Sequence, residues 1–137
     1  MTVWHPFEYL TVRVVPRVER AEFVNVGVVV YCQALEYLDA TVDVDPGRLM
    51  ALDPGADANT VTEAATAYVA PCWAASADPA AATSAGERFR WMAAPRSTVV
   101  QPGPVHPGLT TDPAHELDRL MELLVRVAPV SHRQPGR

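Results

Sequence analysis

Three stretches in the first third of the chain alternate apolar and polar positions with the two-residue period of a β-strand. From Phe7 to Val15, Leu10, Val12 and Val14 take one side while Tyr9, Thr11 and Arg13 take the other, which predicts a strand with one buried face. Pro16 has no N–H to give to a ladder and ends it. From Val24 to Cys32 the same alternation puts Val24, Val26, Val28, Val30 and Cys32 on one face, but Val29 and Tyr31 make the opposite face apolar as well. A strand that is apolar on both sides belongs in the middle of its sheet. A third run, Leu35 to Val44, sets Leu38, Ala40, Val42 and Val44 against Tyr37, Asp39, Thr41 and Asp43. The Gln33–Ala34 link is short enough for a hairpin, although it lacks the Asn-Gly chemistry of tight turns. A helix over residues 31–40 is the competing expectation.

Beyond Asp45-Pro46-Gly47 the period lengthens. Arg48 to Leu52 makes a helical turn at most. Thr60 and Glu63 match a capping box, in which hydroxyl and carboxylate each serve an orphan backbone N–H. Val61, Ala64, Ala65, Tyr68 and Cys72 follow at helical spacing until Pro71 ends or kinks the helix. Residues 76–86, SADPAAATSAG, are small and weakly patterned and predict a mobile loop. Ser97 to Gln101 is a short strand candidate. Asp112-Pro113 is a cap followed by proline at the first helical position, and Leu117, Leu120, Met121 and Leu124 form the apolar stripe behind it. Glu122 and Arg126 pair at i,i+4 on the wet side of that helix, and Pro129 stops it. No internal repeat is visible. The expected class is α+β: one domain over residues 1–129, an antiparallel sheet of three to five strands with two main helices packed on one face, and a flexible tail at 130–137.

Composition narrows the chemistry. With 137 residues the chain has room for one core, and its net charge of −5 argues against a general nucleic-acid or anionic-membrane coat. All 11 basic residues are arginine, so lysine Schiff bases and phosphate-loop lysines are excluded. The seven glycines form neither GxGxxG nor GxxxxGK. Asp43, Asp45 and Gly47 resemble the start of a calcium loop, but its twelfth position is Pro54. His5, His106, His115 and His132 have no partner at zinc-ligand spacing, and Cys32 and Cys72 lack the flanking charge that makes a thiolate. No cofactor or metal is expected. Reduced, buried thiols, no visible secretory signal and no apolar run of membrane length together predict a cytoplasmic protein.

One segment stands out. Residues 86–108 read GERFRWMAAPRSTVVQPGPVHPG and carry a local charge of +2 inside a chain of −5. Arg88, Arg90, Trp91, Arg96, Ser97, Thr98, Gln101 and His106 combine fork-shaped donors, an aromatic plate and hydroxyls, a set suited to phosphate, carboxylate or a partner surface. If Phe89 and Trp91 share one face, Arg88 and Arg90 share the other. In the competing expectation Phe89 and Trp91 are core and the arginines pair with acids such as Asp39 and Asp43. Asn25 and Gly27, i and i+2 on the central strand, are secondary candidates, the glycine leaving room for a ligand or for a neighbouring backbone. Arg13, Arg17 and Arg20 read as a solvated face interleaved with Glu19 and Glu22. Ser97 with His106 has neither a GxSxG elbow nor a third member, so a hydrolase dyad is not expected.

The stretches VERAEFVNVGVVVYC (18–32) and ERFRWMAAPRSTVVQPGPVHPGLTTDPAHELDRL (87–120) resemble the bacterial family catalogued as domain of unknown function number 3037. The likeness runs over about residues 7–127; at position 21 this chain has Ala where the family pattern suggests Gly before Glu22-Phe23. The resemblance implies a small cytoplasmic accessory protein, often encoded beside a HipA-like serine/threonine kinase. The leading expectation is therefore a non-catalytic binding or regulatory module whose Arg88–His106 segment meets a protein partner such as that kinase. The alternative is a small enzyme or binder that grips nucleotides or nucleic acid through Arg88, Arg90 and Arg96. A structural homo-oligomer pairing the Val24–Cys32 strand across a dimer is the third.

Overall fold

The computed structural model describes residues 1–73 and 84–127. The predicted loop at 76–86 therefore falls largely outside the described residues, as does the tail at 130–137. The alternating stretches form β1 (His5–Val14), β2 (Val24–Cys32) and β3 (Tyr37–Val42). Helices α1 (Pro46–Leu52), α2 (Ala58–Val69) and α3 (Ala85–Ala93) follow, then β4 (Val100–Pro102), β5 (His106–Thr110) and α4 (Pro113–Leu124). All pairings are antiparallel, in the order β3-β2-β1; on the far side of β1, β5 runs beside its first half and β4 beside its last residues. The α+β class and the central place of β2 stand as expected. The Gln33–Leu35 link is a short 3-10 turn closed by Glu36 at φ 49°, so the hairpin holds and the helix over 31–40 does not. With β1 and β3 on its two edges, β2 has no edge left to pair across a dimer.

A β-bulge decides which residues face which layer. Val12 pairs with Gly27, but the next residue, Arg13, pairs with Asn25, which leaves Val26 as the extra residue. The alternation therefore changes phase within β2. Val24, Val26 and Val29 join Leu10, Val12 and Val14 in a core with Leu49 of α1, Val61, Ala65 and Tyr68 of α2, and Phe89 and Met92 of α3. Val28, Val30 and Cys32 join Phe7 in a second core with Leu117, Leu120 and Met121 of α4. The common face expected for Val24 through Cys32 is thus split by one inserted residue, and the helices divide between the two sides of the sheet. Asn25 and Gly27 part in the same way. Asn25 donates its amide N–H to the Leu124 carbonyl at 3.2 Å, on the α4 side. A Cβ on Gly27 would meet Val12 and Val42 on the other side.

The helix starts follow the strongest available caps. Asp45 accepts from Gly47 N and Arg48 N to open α1, and Asp112 accepts from Ala114 N and His115 N to open α4. In α2 the capping residue is Asp57, which accepts from Asn59 N and from the Thr60 hydroxyl. The Thr60–Glu63 box is not used, because the ionised Asp57 carboxylate, three residues before Thr60, outcompetes the hydroxyl and adds charge at the positive end of the helix. Ser84 caps α3 and accepts from Glu87 N, so residues 84–86 open a helix instead of closing a loop. The strand expected at Ser97–Gln101 is confined to Val100–Pro102, and β5 was not foreseen, since Pro107 and Gly108 break its alternation.

Candidate functional site

Helix α3 positions the first third of the distinctive segment, including Arg88, Arg90 and Trp91. Phe89 and Met92, three residues apart, point inward and are fully buried; their burial contributes on the order of 2 kcal/mol each. A helical period of 3.6 then turns Trp91 outward, where it stays 55% exposed. This corrects the expectation that Phe89 and Trp91 share a face, which assumed the two-residue period of a strand. The competing expectation is half right, since Phe89 is core and Trp91 is not.

Around Trp91 the side chains are held in a fixed stack. The Arg96 guanidinium lies 4.3 Å from the Trp91 ring centroid and 4.8 Å from that of Tyr68, and donates to the Trp91 carbonyl at 2.9 Å. Tyr68 comes from α2, and its hydroxyl donates to the Met92 carbonyl. Burial pushes the Tyr68 hydroxyl up to about 12, so it stays a neutral donor. Arg90 turns to the other side of α3, where it meets Glu8 of β1 at 2.7 Å. That ion pair borders an open cleft of about 1100 Å³ whose lining includes Pro6, Tyr31, Glu87 and Pro107. Arg88 is half-buried on the inner side. Its charge partly offsets the burial and the Asp39 carboxylate that push the Cys72 thiol up to about 12.

The other sequence candidates lie elsewhere. Ser97 is exposed; Thr98 donates its hydroxyl to the Val100 carbonyl at 2.8 Å, and Gln101 donates to the Thr98 carbonyl at 2.7 Å, so both brace the turn before β4. The His106 ring lies tilted by 31° against Tyr9 with centroids 5.2 Å apart, and Tyr9 packs against the α4 core, across the sheet from α3. Gly27 serves a strand neighbour, since a Cβ there would stand 2.6 Å from the Thr41 carbonyl oxygen. Of the eight primary candidates, the sequence brings Arg88, Arg90, Trp91 and Arg96 to α3. Arg90 does pair with an acid, but with Glu8, while Asp39 accepts from Trp73 and Asp43 from Arg126. Tyr68 was missed as a site residue because its helical spacing marks it only as core.

Cys32 and Cys72 are both free and buried. Among the described residues no group of three His, Cys, Asp or Glu side chains could hold a metal ion, and no helix is long and apolar enough to cross a membrane. Compared with known families, residues 9–125 match the one described as "Protein of unknown function (DUF3037)". No curated protein and no solved structure matches the chain.

Proposed function

The chain belongs to the DUF3037 family, and from the geometry of α3 we propose that it is a non-catalytic binding module whose protein partner docks on Trp91 and the arginines beside it. The observation that carries this reading is an indole 55% exposed on a helix whose other aromatic is buried. Leaving so large an apolar ring in water costs stability, and tryptophan with arginine is the pair most enriched where a few residues dominate an interface. The stack adds preorganisation. Arg96 is held by two rings and a carbonyl in the free protein, so its ordering entropy is not lost again on docking. Arg90, half neutralised by Glu8, suits the rim of such a surface.

The partner to test first is the HipA-like serine/threonine kinase that the resemblance implies. Co-expressed with that kinase, the chain is expected to co-elute with it on size exclusion at tens of micromolar. Trp91→Ala should abolish co-elution and leave the melting temperature within a few degrees, while Leu123→Ala, an exposed change on α4, should keep it. Separate elution of the two wild-type proteins, or full co-elution of Trp91→Ala, would defeat the reading. The nucleotide alternative asks Arg88, Arg90 and Arg96 to converge on phosphate, whereas Arg90 is engaged by Glu8 and Arg96 by two rings. Thermal shifts with nucleotides that fade steeply as salt is raised would favour that alternative instead.

A further inference from the structure

Arg13 differs from the arginines around it. Arg17, Arg20, Arg90, Arg119 and Arg126 reach carboxylates, and Arg48 and Arg96 reach carbonyls. Arg13 makes no hydrogen bond or ion pair among the described residues, although it is half-buried and its Nε is closed off from water. Its guanidinium carbon lies over the Phe23 ring, 4.0 Å from the centroid. On the β4–β5 side the backbone presses in: a Cβ on Gly103 would stand 3.1 Å from Arg13 Nε and 3.3 Å from its Cζ, and would collide with the Thr11 hydroxyl. Directly across the β1–β2 ladder stands Asn25, whose Oδ1 is likewise buried without a partner. Arg13, Thr11 and Asn25 lie on the α4 side of the sheet, beside the bulge and past the last turn of α4.

Several costly features coincide here. A buried donor and a buried acceptor go unpaired in register; a phenyl ring stays 44% exposed on the guanidinium; and Ala21, which leads into that ring, holds φ at 56°, a conformation non-glycine residues avoid. The cation–π contact with Phe23 stabilises only modestly; the unpaired groups and the strained backbone cost stability, and such groups concentrate where a protein binds something. A guanidinium backed by an aromatic ring but without a carboxylate partner offers its planar fork to an oxyanion, which it matches bidentately. We propose that Arg13, backed by Phe23 and flanked by Thr11, is a binding site for the carboxylate or phosphate group of a small ligand. It lies across the sheet from α3, so the site and the docking surface stand or fall separately.

Inorganic phosphate and acetate are the probes, each titrated at constant ionic strength into protein whose arginine Nε–H groups are observed by NMR. The Arg13 signal, identified by its loss in Arg13→Gln, is expected to shift saturably with one of the two anions, which then names the anionic group. Phe23→Ala, a change at an exposed ring, should weaken that binding several-fold while the fold is kept. The Arg13→Gln protein should melt at the same temperature as the wild type or higher, because the substitution removes an unpaired charge, and the bound anion should raise the melting temperature of the wild type alone. A signal that drifts without saturating for both anions would overturn the proposal. So would an Arg13→Gln protein that melts many degrees lower with no anion effect in the wild type, since Arg13 would then be a structural residue.

Discussion

Ala21 holds φ at 56° in the turn between β1 and β2, where its amide closes the 3-10 turn on the Val18 carbonyl. A left-handed alanine costs about 1–2 kcal/mol relative to its ordinary basin, and glycine gives back part of that gain through the freedom of the unfolded chain. Ala21→Gly is therefore expected to stabilise the protein by roughly 0.5–1 kcal/mol, read as a higher urea midpoint at unchanged slope. A lower midpoint would show that the alanine methyl makes contacts that outweigh the backbone. The resemblance that suggested glycine at position 21 pointed to this turn, so the strain was partly legible in the sequence. The environment of Arg13 was not. Its charge pattern with Arg17 and Arg20 reads as a solvated face, which holds for those two, and only the tertiary placement of Phe23 and Gly103 sets Arg13 apart.

Among elements, β2 and α3 show what a pattern can and cannot carry. The apolarity of β2 on both faces identified it as central, because a sheet with helices on each side needs such a strand. Which residues face which helix was illegible, since one bulged residue reverses the alternation and no residue type announces it. Gly27 sits beside that irregularity, and its closeness to the β3 backbone makes a second prediction. A Cβ there would lie 2.6 Å from the Thr41 carbonyl oxygen, an atom that cannot swing away. Gly27→Ala should cost about 1–3 kcal/mol, measured by equilibrium urea unfolding, and a loss below a few tenths would mean that β2 and β3 slide apart freely. In α3, nine residues with arginines between aromatics mimic a strand's alternation. The Ser84 cap and the i,i+3 pair Phe89–Met92 were the signals that select a helix, and Gly86 in the first turn obscured them.

At the scale of the whole molecule, both edges of the sheet are guarded. On β3 the Asp39 carboxylate accepts from the Ala40 N–H and from the Trp73 indole, each at 2.8 Å, and on β5 the edge carries Pro107. Such edges discourage strand-to-strand growth and leave side-chain surfaces such as α3 for association. The packing also sets a pH response. Burial raises Cys72 from 9 to about 12, and Tyr37 and Tyr68 from 10 to about 12. The unfolded chain releases these protons at the ordinary values while the folded chain retains them, so their contribution is intact below pH 9 and is lost as pH climbs toward 12. The urea midpoint should fall between pH 9 and 11, and a constant midpoint would mean these groups are solvated in the folded state. The central proposal is that α3 is the face on which a protein partner docks. Hydrogen exchange of the protein mixed with a HipA-like kinase, the partner proposed for it, tests this most directly. It predicts added protection at residues 85–93 with α4 unchanged; protection confined to α4 or to β5, with α3 exchanging as in the free protein, would contradict it.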